Sequence, residues 1–280
     1  MTLGESTALI GAGAVAAGFV GALTGLGGGV VLVPVLTIVL GVDLRYAIGA
    51  SLIAVIATSS ASAAAYVREG WSNLRVGMFL EVATTFGALT GAALATVVPA
   101  SGVAVIFGVV LLWSAIAGRH TENETATVPA DPLAVRLRLD GTYPGAAGTV
   151  AYHVTHVPLG WAIMFVAGAL SGLLGIGSGA LKVLAMDRAM RLPFKVSTTT
   201  SNFMIGVTAA ASAGVYLHRG YVDPDLAAPV LLGVMVGAML GARLLGAADV
   251  TMLRRVFTAV LLALGAEMIW HGVAGNFRDL

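Results

Sequence analysis

The sequence predicts an all-α polytopic membrane protein made of two repeated halves, with helices broken at glycines. Three observations support this: an apolar composition, a repeat at fixed offset, and glycine clusters at matching places in both halves. Of the 280 residues, 58% are hydrophobic and 10% charged, whereas soluble domains carry roughly a quarter charged residues. Apolar runs at about 7–24, 46–66, 76–98, 102–118, 158–174, 196–217, 226–247 and 252–272 each approach the roughly 20 residues that cross about 30 Å of hydrocarbon as a helix. None alternates with period two, so these are helices and not barrel strands. With two shorter pieces after the glycines, about 29–40 and 180–190, the chain has eight to ten membrane elements.

The first run starts without a basic segment and carries Glu5 instead, so it is predicted to be a membrane helix and not a cleaved signal. Residues 1–118 form the first membrane repeat and 158–280 the second. Between them, 119–157 is polar, and "VRLRLDG" and "TVAYHVTHV" alternate around turn residues, which predicts a small extramembrane β-hairpin. His153 and His156 fall in its second strand on opposite faces, unsuited to a shared metal. The absence of cysteine excludes disulfides and thiolate chemistry. A net charge of +1 gives no basic surface for nucleic acid.

The halves match at an offset of 150: Gly29 with Gly179, Gly70 with Gly220, Gly91 with Gly241. Internal repeats of this size are typical of secondary transporters, with sites near the midplane at the repeat interface. Five elements per half imply an inverted second half. Arg68 and Arg75 in one half, and Arg188, Arg191, Lys195, Arg254 and Arg255 in the other, then place the linker in the cytoplasm and the termini outside. Parallel halves remain open if the glycine elements are re-entrant.

Glycine tolerates strained backbone and close approach. In "GLGGG" (25–29) and "GLLGIGSG" (172–179), Gly27, Gly28 and Gly29 and then Gly175, Gly177 and Gly179 mark breaks before short helices. Their unpaired N–H groups would face an anion. Packing is the competing role, and it is the expected one for Gly87 with Gly91 and for Gly237 with Gly241. A Walker loop is excluded because no lysine and hydroxyl follow the last glycine.

Hydroxyls come next. Ser51 and Ser201 are repeat-equivalent, and Thr199, Thr200, Ser201 and Asn202 offer donors suited to the oxygens of a sulfonate, sulfite or sulfate. Ser197 is expected to cap. Among intramembrane charges, Lys182 either balances an anion or snorkels, and Glu81 either carries a coupling proton or closes a local network. Arg243 is expected to snorkel, and Glu267 to lie at the interface. No HExxH, GxSxG or paired carboxylates occur, so no enzyme is predicted.

With its paired glycine motifs, Pro34 after the first, and duplicated layout, the chain resembles the sulfite exporter TauE/SafE family, also called sulfonate uptake permeases. The resemblance covers nearly everything except 119–157, which is longer and more strand-like than the family leads one to expect. It implies a bacterial inner-membrane carrier of sulfite, sulfoacetate or other sulfonates, driven by protons. The alternatives are an anion channel or a carrier of another small organic anion. Expected partners are a small anionic substrate, the lipid bilayer and a possible second copy, without cofactor or metal. The first motif, "GLGGG", departs from its mate and is expected to bend differently.

Overall fold

The structure is a computed structural model. It describes residues 3–24, 28–68, 70–117, 131–145, 148–245 and 250–275. Eleven helices and one two-stranded sheet are present among these. In the first half, α1 (Leu3–Thr24) runs to the first break, and α2 (Gly29–Pro34) leads out of it into a π turn (Val35–Val39). Three long helices follow: α3 (Leu44–Arg68), α4 (Leu74–Leu94) and α5 (Ala100–Ala117). After the linker come α7 (Val157–Leu174), α8 (Gly179–Leu184) with a π turn (Ala185–Ala189), α9 (Phe194–His218), α10 (Pro224–Leu245) and α11 (Val250–Val273).

The element bounds recur at 150 residues. Helix α1 ends at Thr24 and α7 at Leu174; α2 and α8 start at Gly29 and Gly179; α3 and α9 at Leu44 and Phe194; α4 and α10 at Leu74 and Pro224; α5 and α11 at Ala100 and Val250. Both π turns close alike, with Leu40 N–H donating to Val35 O and Met190 N–H to Ala185 O. Pro34 precedes the first turn but Leu184 the second, so proline is not what makes them.

Helix pairing exchanges between the halves: α1 packs on α10, and its counterpart α7 on α4, while α3 packs on α9 and α5 on α11. Small residues set the closeness. A Cβ at Gly87 would strike the Phe165 carbonyl, one at Gly91 that of Ala169, one at Gly172 that of Ala88, and one at Gly237 that of Val15. The packing role expected of Gly87, Gly91 and Gly237 is therefore what the backbone shows; the surroundings of Gly241 lie outside the described residues. Large apolar side chains face outward, including Val82, Phe86 and Leu89 of α4, Val166 of α7, and Leu232, Met235 and Met239 of α10. Such a surface suits lipid and would be unusual in water.

Each break folds its helix back. Thr155 N–H donates to Met190 O at 3.1 Å, so the start of α7 and the end of the second π turn lie side by side. In α1, a Cβ on Gly13 would face Leu40 and Val35, which places the first π turn against the same helix that entered the break.

The linker carries a helix where a strand is expected. Helix α6 (Pro132–Arg136) occupies part of "VRLRLDG". Asp131 accepts from Leu133 N–H at 2.9 Å and Pro132 takes the first helical position; this capping start prevails over the alternating pattern. The hairpin itself is present, with β1 (Gly141–Gly145) antiparallel to β2 (Gly148–Tyr152). Both histidines lie beyond β2, not within it. His153 Nδ1 is 3.0 Å from Asp140 Oδ2, and His156 Nδ1 is 3.2 Å from Thr155 Oγ1. The linker docks on the α3–α4 loop through Asn73, whose Nδ2 donates to Leu139 O at 2.8 Å and to Tyr152 Oη at 2.7 Å.

Candidate functional site

The two breaks meet in the interior. A Cβ on Gly29 would lie 2.7 Å from Val55 Cγ2, 2.9 Å from Ser51 Oγ and 3.2 Å from the Gly175 carbonyl. Ser51 Oγ donates to that carbonyl at 3.0 Å, so a first-half hydroxyl holds the second-half break. Ser201 Oγ donates to Gly179 O at 3.3 Å. Tyr216 Oη donates to Gly172 O at 3.1 Å, taking up a carbonyl left at the end of α7.

Residues 25–27 of the first break lie outside the described residues, and the comparison of the two bends rests on Gly28 and Ser178. Gly175 (φ 68°), Gly177 (φ 70°) and Ser178 (φ 43°) are left-handed, whereas Gly28, the counterpart of Ser178, is right-handed at φ −62°. At Gly175 a Cβ would meet Ile48, and at Gly177 it would meet Ile205 and Val55, so glycine is required twice over. The first helical hydrogen bonds are Leu32 N–H to Gly28 O and Lys182 N–H to Ser178 O. Hence Gly29, Val30 and Val31, and Gly179, Ala180 and Leu181, offer N–H groups with no acceptor inside their helices. Gly27 lies outside the described residues.

The hydroxyl row divides. Thr199 Oγ1 donates to Trp71 O at 3.0 Å and Thr200 Oγ1 accepts from Asn73 N–H at 3.0 Å, so both tie α9 to the α3–α4 loop. Asn202 Nδ2 donates back to Thr198 O at 3.2 Å. Of the four, Ser201 is the one bonded to the break. Ser197 does not cap α9, which begins at Phe194; its Oγ is 3.4 Å from Leu192 O.

The two buried charges come together through a residue that the sequence did not single out. Lys182 Nζ donates to Thr208 Oγ1, and Thr208 Oγ1 donates to Glu81 Oε1 at 2.7 Å. Thr85 Oγ1 also donates to Glu81 Oε1, at 3.3 Å, whereas Glu81 Oε2 is buried without a partner. Lys182 is 0% exposed and Glu81 7%. Lysine therefore does not snorkel, and α8, α9 and α4 share a bridged ion pair. Thr208 Oγ1 also lies 2.9 Å from Met204 O, the alternative acceptor open to any helical threonine, so nothing in the sequence marks it. Ser178 was equally missed, although it is the one hydroxyl inside either glycine cluster. Its Oγ is buried without a partner, as is that of Ser171. Glu267 is on an exposed face of α11, 3.9 Å from His271, and the surroundings of Arg243 lie outside the described residues.

Comparison with known proteins gives the family. The chain matches the family described as Sulfite exporter TauE/SafE over residues 9–268. It is 28% identical over 264 residues to a probable membrane transporter protein, YunE, of Bacillus subtilis (strain 168), covering 92% of this chain and 95% of that one. It is also 28% identical over 278 residues to a probable membrane transporter protein of Xylella fastidiosa (strain 9a5c), covering 98% of each. No solved structure gives a significant match. An apolar helical chain with two meeting breaks, matched to that family from Leu9 to Met268, belongs to the sulfite exporter TauE/SafE family of membrane transporters.

Proposed function

We propose that the protein is a secondary carrier of sulfur-containing anions, sulfite or short organosulfonates, across the bacterial inner membrane. It works by alternating access around the two breaks and is coupled to protons through Glu81. The meeting of Gly29 with the Gly175 carbonyl is the observation that supports this best. Two short helices pointing unpaired N–H groups toward one interior region form an anion-favouring field. Gly28, Gly29, Gly175, Gly177 and Gly179 supply close backbone, Ser51 and Ser201 hold the breaks in place, and Lys182 supplies charge. Thr199, Thr200 and Asn202 act as anchors of α9.

An inverted repeat is supported by what gathers at each end. Each half is a hairpin that returns to its own side, followed by three long helices, which makes three crossings and reverses the second half. Trp71, Lys195 and the hairpin tyrosines cluster at one end, where Lys195 Nζ lies 3.8 Å from the centre of the Trp71 ring. Arg45 and Tyr221 pair at the other, with a guanidinium-to-ring distance of 5.6 Å. Arg68, Arg75, Arg136, Arg138, Arg188 and Arg191 fall at the linker end in this reading, against Arg45 and Arg219 opposite, which makes the linker end cytoplasmic.

The test uses purified protein in vesicles. Binding is measured against sulfite, sulfate, thiosulfate, short sulfonates and carboxylates, and transport as saturable uptake with counterflow. Glu81→Gln should abolish proton-driven uptake while anion exchange continues, since exchange moves no net proton. A linear, non-saturating flux without counterflow would make the protein a channel.

A further inference from the structure

We infer that Lys182 is shared between Glu81 and the transported anion, so that the second break seats a monoanion only when Glu81 is protonated. This rests on the carrier reading above. In the structure the positive charge of Lys182 is answered through Thr208 by the Glu81 carboxylate. Each is the charged partner of the other. Other titratable groups on the elements packed around them are Arg45, Tyr46, Tyr66 and Arg68 of α3, Arg75 of α4, Lys195, Tyr216 and His218 of α9, and Asp187 and Arg188 of the π turn; the hydrogen bonds of the trio given above reach none of them.

The trio is not needed to make the fold. By the offset of 150 its counterparts are Leu32 for Lys182 and Thr58 for Thr208 in the first half and Leu231 for Glu81 in the second, and the equivalent elements α2, α3 and α10 form with no ionisable side chain at these positions. Buried ion pairs often contribute little net stability, and a charge kept inside a membrane protein is by default functional. The asymmetry extends to the break. Ser178 replaces Gly28, and Ser171 replaces Gly21; both hydroxyls are buried without partners. Ser178 is the N-cap of α8, and its carbonyl accepts from the Lys182 N–H one turn on. The same turn presents the N–H groups of Gly179, Ala180 and Leu181. An orphan hydroxyl, unpaired N–H groups and a buried ammonium thus fall within five consecutive residues at the start of α8.

Charge balance then couples the two binding events. With Glu81 ionised, seating an anion on Lys182 leaves a net buried negative charge, which is strongly disfavoured. With a proton on Oε2, the atom lacking a partner, Glu81 is neutral and Lys182 with one monoanion sums to zero. Proton and anion therefore bind together, each raising the affinity for the other by the same factor. A dianion such as sulfate leaves one negative charge uncompensated.

Methanesulfonate, which stays singly charged throughout the working pH range, is the probe. Titration calorimetry of the full-length protein should show affinity constant at low pH and falling tenfold per pH unit above the Glu81 midpoint. Glu81→Gln should hold methanesulfonate with the same affinity at every pH. Lys182→Leu and Ser178→Gly copy the first half and so suit the backbone; the first should abolish binding and the second weaken it about tenfold. Uptake of methanesulfonate should carry no current. A wild-type affinity independent of pH, or pH dependence kept by Glu81→Gln, would overturn this inference and leave the carrier intact. Failure of wild type to bind methanesulfonate, sulfite or any other anion would instead remove the carrier reading itself.

Discussion

Asn73 has every backbone and side-chain polar group engaged. Its N–H donates to Thr200 Oγ1, its carbonyl accepts from Gly77, its Oδ1 caps α4 by accepting from Val76 N–H at 3.1 Å, and its amide hydrogens go to Leu139 O and Tyr152 Oη. Burial pushes the Tyr152 phenol up to about 12, so that contact stays neutral at ordinary pH. Thr200, fully buried, is therefore tied to Asn73. Thr200→Val should leave the Asn73 N–H without an acceptor and cost about 1–3 kcal/mol of stability. The folded fraction should keep its anion affinity. Thermal melting and calorimetry separate the two, and a loss of affinity without loss of stability would return Thr200 to the binding site. The sequence offered these hydroxyls as a row because donors next to one another look like a single surface. On a helix they point in different directions, with successive residues about 100° apart. Thr199 and Thr200 therefore meet the α3–α4 loop while Ser201 meets Gly179.

At the scale of elements, close approach of glycine faces holds α4 to α7 and α1 to α10. Gly168 and Gly172 face the Thr84 and Ala88 carbonyls across one interface, and Gly233 and Gly237 face those of Gly11 and Val15 across the other. Gly172→Ala should force the helices apart and destabilise the protein by about 1–3 kcal/mol, with a lower melting temperature as the readout. A neutral result would mean that the α4–α7 contact can open at little cost. These interfaces, the helix breaks and the offset of 150 were legible in the sequence because each is a property of spacing along the chain. The bridged pair was half legible: Glu81 and Lys182 stand out as charges in apolar runs, but their joining through Thr208 is a tertiary contact spanning 127 residues. Helix α6 was missed because alternation over "VRLRLDG" outweighed the Asp131–Pro132 start.

For the whole molecule, exchange of the halves maps the pairing of α1 with α10 onto that of α7 with α4 and leaves the α3–α9 and α5–α11 pairings in place. The inverted arrangement proposed above, with a two-fold axis in the membrane plane, would account for this exchange. The chain has no cysteine, so single introduced cysteines report sidedness directly. Arg68→Cys, at the end of α3, should label from the cytoplasmic face. Arg219→Cys, just past the end of α9, should label from the opposite face. Labelling of both from one face would make the halves parallel.

The contact of Gly29 with the Gly175 carbonyl also governs how the chain can be assembled. The first half is made before the partner of its break, since Ser51 Oγ finds its acceptor only 124 residues later. Until then the Ser51 hydroxyl lacks the acceptor that it has in the finished fold. The first hairpin is therefore expected to reach its final setting only after α7 to α10 have been made, since the Gly175 carbonyl lies in the α7–α8 break and α1 packs on α10.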